Sequence, residues 1–234
     1  MYGDGPVSSG EQAARRRAAD VRVVVIGGGG TGAAIVNDLA QRGFVATLFE
    51  RGELTSGTTG RHHGQLHSGA RYAVGDVEIA RECINEVNIL RRIAPESIEM
   101  NYGIFLALSE EDEAHADVFE ASCNEAGIAT RRISTEEALR YEPRVNPRAR
   151  LGVVVPDGTL DAYRLPLQFF AGAQAAGAVV RSFCEVTEIR TQNGEVRGVT
   201  VHDYARREEE YHPADVVINA AGPWAGRVAA CAGV

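Results

Sequence analysis

The sequence predicts an α/β fold organised on a parallel sheet, and three observations carry that expectation. The run DVRVVVIGGGGTGAAIVNDLAQRGFVATLFER reads as strand, glycine turn, helix and strand. Segments with helical spacing and with strand spacing then follow one another through the middle of the chain. Near the end, DVVINAAG offers a last apolar strand that stops on small residues.

Five of the six residues from Val21 to Ile26 are β-branched and apolar, the pattern of a strand buried on both faces in a parallel sheet. The chain turns at Gly27. Gly27, Gly29 and Gly32 fall on G-x-G-x-x-G, with Gly28, Gly30 and Thr31 between them. In that pattern the first glycine permits a tight turn, the second admits a pyrophosphate to the backbone, and the third packs helix on strand. The helix is expected to run to about Arg42 and to end at Gly43. A second strand, FVATLFE, finishes on Glu50, 18 residues past Gly32. An acid there is placed to accept hydrogen bonds from ribose hydroxyls while the helix N-terminus holds phosphates. Order and spacing together read as a Rossmann-like dinucleotide site.

The stretch ERGELTSGTTGRHHGQLHSGARY follows, with three of the six histidines and almost no apolar periodicity. It is a loop laid against something, because glycine loses more backbone freedom on ordering than any other residue. The glycine fingerprint does not separate NAD from FAD, but this loop does. A nicotinamide enzyme usually continues into another strand-helix repeat, whereas a Gly/Thr/His loop directly after the ribose acid suits a flavin. This segment resembles the D-amino-acid-oxidase-like superfamily of flavoproteins. Within it, the run from Glu50 to Pro95 resembles the catalytic subunits of bacterial anaerobic, FAD-dependent glycerol-3-phosphate dehydrogenases, as do NYGIFLALSEED, VVVPDGTLDAYRL and DVVINAAGPWAG.

The elements after the loop read coherently beside that resemblance. Ala80, Cys83, Ile84, Val87, Leu90 and Ala94 keep helical spacing between Asp76, the N-cap, and Pro95, and this helix is expected to back the loop. Tyr102–Leu108 reads as a strand, Ser109 caps a helix to Gly127, and Ser134 with Glu137 has capping-box spacing. VVVPDGTLDAYRL supplies a strand, a Pro-Asp-Gly turn and a capped helix. CEVTEIRTQNGEVRGVTVHDY is two alternating strands around Asn193-Gly194, a strong hairpin signal. The last strand, ending at Ala220 to Gly222, rejoins the dinucleotide domain in the family. The expected division is a disordered tail over 1–20, a first part of the FAD-binding domain over 21–95, an inserted α+β substrate-domain portion over 96–155, and a second part with the hairpin over 156–234. Relatives continue beyond Val234, so the resemblance implies a discontinuous domain with the C-terminal part of the family fold missing.

Composition bounds the reading. At 234 residues, 44% hydrophobic and 24% charged, the chain has material for a sizeable core. No apolar run approaches the roughly 20 residues of a membrane span. A formal charge of −8 argues against nucleic acid or an anionic membrane as the main partner. Cys83, Cys123, Cys184 and Cys231 lack metal-ligand spacing and suit a reducing cytoplasm.

The candidate site residues follow from motif and resemblance together. Ile26 to Gly32, with Glu50 and Arg51, form the nucleotide end. Thr58, Thr59, Gly60, His63 and Gly64 belong to the flavin loop, and Val186, Ala220 and Gly222 are further cofactor contacts. His67 is the candidate base for a substrate hydroxyl, since oxidising an alcohol by hydride loss needs a group that titrates near neutrality; a flavin contact or a structural role is the alternative. Arg61 and Arg71 are candidate bidentate donors to a substrate phosphate, or solvated charges. A metal is not expected, because a loop of histidines without nearby acids or cysteines is poor evidence for one. The resemblance implies oxidation of sn-glycerol 3-phosphate to dihydroxyacetone phosphate, hydride passing to flavin N5 and electrons leaving to quinone through partner subunits. It implies a cytoplasmic chain, or one held on the inner face of the membrane by those partners. A 2-hydroxyglutarate or amine oxidase would keep every motif named, and a truncated, inactive flavin-binding remnant is the reading of a different class.

Overall fold

The computed structural model describes residues 17–234, so most of the expected tail lies outside the described residues; Ala18–Asp20 form a single 3-10 turn. Strand β1 (Arg22–Ile26) leads through the glycine turn into α1 (Gly30–Gln41). Arg42 caps that helix and Gly43, at φ +83°, turns the chain out of it into β2 (Val45–Phe49). The loop carries 3-10 turns at Thr58–Arg61 and Ala70–Tyr72 around a short strand, β3 (Gln65–Leu66). Helix α2 (Val77–Ile93) starts where the Asp76 carboxylate accepts the Ile79 N–H at 3.0 Å, and it buries Ala80, Ile84 and Val87.

Two strands, β4 (Ile98–Glu99) and β5 (Gly103–Ala107), precede α3 (Glu110–Ala126). A full capping box holds the start of α3: Ser109 Oγ accepts from Asp112 N, and the Asp112 carboxylate accepts from Ser109 N. Next come β6 (Arg131–Ile133) and α4 (Thr135–Tyr141). Only half of the expected box forms on α4. Ser134 accepts from Glu137 N, but the Glu137 carboxylate is drawn 2.7 Å from Arg131 instead of reaching back. Then follow β7 (Leu151–Val155), β8 (Gly158–Leu160), α5 (Arg164–Ala175), β9 (Val179–Arg181), β10 (Cys184–Gln192), β11 (Glu195–Asp203), β12 (Glu208–Pro213), β13 (Val216–Asn219) and α6 (Ala225–Ala230).

Two compact units result. Of the described residues, one joins 17–62 to 166–234, and the other is 63–165. The expected division at residues 95 and 155 differs from this, because the loop from residue 63 onward makes its strand pairing with β8, and α2 packs with α3.

The first unit is layered. Its parallel sheet runs β13-β1-β2-β9, with the last apolar strand in register beside the first (Val25 opposite Ile218). Successive side chains of a strand point to opposite faces, and β1 buries both. Val25 joins Ala33 and Val36 of α1, Leu48, and Phe170 and Ala173 of α5. Val24 and Ile26 join Phe49 and the inner face of an antiparallel β10-β11-β12 sheet, through Val186, Val199 and Val201. Asn193 and Gly194, at φ +55° and +78°, turn the hairpin. Arg181 on β9 donates to Asp203 and Glu210, both at 2.6 Å, and locks the two sheets together beside the Phe49 ring.

The second unit holds two three-stranded sheets, β3-β8-β4 and β5-β7-β6. Its core gathers Ala70 and Ala73 from the loop, Ala80 and Ile84 from α2, Cys123 and Ala126 from α3, and Ile128. The expected backing of the loop by α2 is therefore made at residues 69–73, where a side chain on Gly69 would strike the Ala80 carbonyl.

Candidate functional site

The glycine turn is a close-packed corner. Gly27 sits at φ +115°, where a Cβ would lie 2.5 Å from the Ala220 carbonyl oxygen, so only glycine permits β13 to end against it. A Cβ on Gly32 would lie 1.9 Å from the Gly27 oxygen, which is how helix and strand approach. Glu50 holds the turn from the next strand. Its Oε2 accepts the Gly28 N–H at 2.6 Å and its Oε1 accepts the Gly52 N–H at 2.8 Å. Each carboxylate oxygen has a second acceptor position, so Glu50 can brace the turn and still receive ribose hydroxyls. Thr59 Oγ1 accepts the Gly30 N–H at 2.9 Å, which lays the loop over the first turn of α1.

Around this corner, within the first unit, lies a cavity of about 640 Å³, in the size range of cofactor sites. Ile26, Gly27, Gly29, Gly30, Thr31, Glu50 and Arg51 line one side; Thr58, Thr59 and Arg61 line another; Val186, Ala220 and Gly222 close it. Gly28 and Gly32 stand behind this wall, under Glu50 and inside α1, and Gly60 donates to the Thr55 carbonyl. A bare glycine turn at a helix N-terminus with an acid one strand over fits a dinucleotide, the phosphates taking the helix end and the acid the ribose.

The sequence reading missed part of this lining. Trp224 and Arg227 approach from the last turn and α6, and the Arg51 guanidinium stacks 4.4 Å from the Trp224 ring centroid. Trp224 stands in NAAGPWAG, where the small residues carry the sequence signal and the ring carries none. Cys184 also lines the cavity, and burial pushes its thiol pKa up. Thr55, within the loop, is 1% exposed at φ +67°, and its hydroxyl has no hydrogen-bond partner among the described residues.

His63, Gly64, His67 and Arg71 belong to the second unit. His67 Nδ1 lies 3.2 Å from Asp157 Oδ2. Asp157, the middle residue of the Pro-Asp-Gly turn, is 4% exposed and also accepts from the Ser68 N–H and hydroxyl. The turn does not close a hairpin, because β7 and β8 lie in different sheets; the Asp157 side chain points inward instead. Arg71 is exposed beside the Tyr72 ring.

Among the described residues, no helix is long and apolar enough to cross a membrane. The family model described as FAD dependent oxidoreductase matches residues 22–233. One component of the anaerobic glycerol-3-phosphate dehydrogenase of Escherichia coli strain K12, named as a subunit of that enzyme, is 45% identical over 199 residues, which cover 85% of this chain and 37% of that protein. The chain thus spans little more than a third of that relative's length. Among solved structures, L-proline dehydrogenase from P. horikoshii superposes with a TM-score of 0.79 at 26% identity, covering 92% of this chain and 56% of that one. Glycerol-3-phosphate dehydrogenase from Bacillus halodurans, solved with FAD, gives 0.68 at 23% identity over 90% of this chain and 36% of that one, a likeness of fold.

Proposed function

The chain belongs to the FAD dependent oxidoreductase family, and from that premise we propose that it serves the oxidation of sn-glycerol 3-phosphate to dihydroxyacetone phosphate, with electrons passed to a quinone through partner subunits. The observation that carries the substrate is the 45% identity to one component of an anaerobic glycerol-3-phosphate dehydrogenase. That relative is named as one subunit of its enzyme, which supports the partners, and these would hold the chain at the inner face of a membrane.

Bound FAD supplies the two-electron acceptor for this oxidation. The chain's own residues do the rest. The N-terminal turn of α1 and the glycine corner would receive the pyrophosphate and Glu50 the ribose, and the Arg51–Trp224 pair flanks the cavity. Loss of hydride from the substrate carbon leaves a proton on its hydroxyl, and His67 Nε2 takes that proton as the carbonyl forms. Arg61 and Arg71 are the proposed donors to the substrate phosphate.

A second reading, oxidation of an amine or amino acid, rests on the likeness to L-proline dehydrogenase. A panel of glycerol 3-phosphate, 2-hydroxyglutarate, glycine and L-proline, each added without oxygen to the FAD-loaded protein, separates the readings. Loss of flavin absorbance with glycerol 3-phosphate alone is expected. Bleaching by L-proline or glycine instead would replace the proposed substrate.

A further inference from the structure

We infer that Asp157 is a positioning residue that holds His67 as its Nδ1–H tautomer and so leaves Nε2 as the proton-accepting atom of the ring. The inference rests on the reading of His67 as the base.

Four donors converge on this carboxylate. Oδ1 accepts the Ser68 backbone N–H at 2.7 Å and the Ser68 hydroxyl at 2.6 Å, while Oδ2 faces the Gln65 side-chain amide at 3.3 Å and His67 Nδ1 at 3.2 Å. An ionised carboxylate only accepts, so the ring nitrogen facing it must carry the hydrogen. In neutral imidazole the other nitrogen then has the free lone pair. When Nε2 takes a proton, the resulting cation already has its counter-charge in place, the same logic by which a buried acid orients a catalytic histidine elsewhere.

The fold builds this contact. Pairing of Gln65 with Thr159 and of Leu66 with Gly158 brings the β8 turn to the histidine loop. Gly103 leaves the carboxylate its space, since a Cβ there would stand 3.1 Å from Asp157 Cβ. The neighbouring ring is set the other way. The Gln65 N–H donates to His63 Nδ1 at 2.9 Å, so neutral His63 keeps its hydrogen on Nε2. Of these two rings, 5.6 Å apart, only His67 offers a bare Nε2.

The test is the nitrogen-15 spectrum of the histidine rings in the full 234-residue chain, at a pH where they are neutral, with His67 assigned by its loss in His67→Gln. Asp157→Asn keeps an oxygen for the two Ser68 donors and turns an amide N–H toward Nδ1, which should move the ring hydrogen to Nε2. Flavin reduction by glycerol 3-phosphate in the FAD-loaded variant should slow by about 10²–10⁴-fold. A wild-type ring protonated at Nε2, or a tautomer unchanged in Asp157→Asn, would overturn the inference. A switched tautomer with an unchanged reduction rate would leave Asp157 as the positioning group and remove His67 from the role of base. If Asp157→Asn does not fold, the wild-type tautomer decides alone.

Discussion

Glu50→Ala should loosen the glycine corner before any cofactor is added. Both carboxylate oxygens are engaged, by the Gly28 and Gly52 N–H groups at 2.6 and 2.8 Å. Hydrogen bonds to a charged group contribute about 1.5–3 kcal/mol each. Glu50 is half-buried, so water replaces part of the loss, and the expected destabilisation is about 2–4 kcal/mol. For a domain of this size each kcal/mol moves the melting point by roughly 2–4 °C, which puts the shift at about 5–15 °C. Glu50→Gln separates charge from shape. Its single amide oxygen can satisfy one donor, and its NH2 then confronts the other, so roughly half of the loss should remain. The assay is thermal unfolding of the FAD-free chain, followed by titration with FAD, whose affinity should fall by about 10–100-fold if the proposed ribose contacts of Glu50 are lost. An FAD-free melting point within about 1 °C of wild type would refute the bracing role. Retention of full FAD affinity together with NADH binding would refute the assignment of the site.

Trp224 is the chain's single tryptophan and lines the cavity, so FAD should quench its fluorescence; Gly29→Val, which puts a side chain against Thr59 Oγ1, should weaken the titration by about 10-fold or more. His67→Gln should keep flavin bound but slow its reduction by about 10²–10⁴-fold in rapid mixing, and an unchanged rate would count against the base. Thr55→Gly should raise the melting point by about 2–4 °C, because relief of a left-handed β-branched residue and of a buried, unpaired hydroxyl outweighs the added chain entropy. The Arg181 hydrogen bond holds the Glu210 carboxyl at about 2, below its ordinary 4.5. A depressed carboxyl adds stability above the unfolded value and loses it as pH falls toward the folded one. Melting points followed down through that window should therefore drop, and Arg181→Met should flatten the slope.

The parallel core was legible because its code is local. Val23 to Ile26 are apolar on both strand faces, and the glycines, Glu50 and the Asn193-Gly194 turn each impose geometry within a few residues. The helix caps at Asp76 and Ser109 were legible for the same reason. Strands of two or three residues were not: Gln65–Leu66, Ile98–Glu99 and Val179–Arg181 become strands only through partners distant in sequence. The same holds for the candidate site. Pro156-Asp157-Gly158 carries a strong turn signal, and nothing local shows that Asp157 faces His67 across 90 residues. Arg227 belongs to a short helix whose approach to the cavity depends on where β13 is placed. The strand-end position of Glu50 suits a ribose ligand, while its bond to Gly28 follows from the tightness of the turn, a property of the folded chain.

The most direct test of the central claim is rapid anaerobic mixing of the FAD-loaded protein with sn-glycerol 3-phosphate, once with hydrogen and once with deuterium on C2. Loss of the oxidised flavin spectrum, slower with the deuterated substrate, is the predicted result, because the proposed reaction breaks the C2–H bond while His67, the proposed base, takes the hydroxyl proton. A flavin that stays oxidised with glycerol 3-phosphate while L-proline or another amine reduces it would contradict the account.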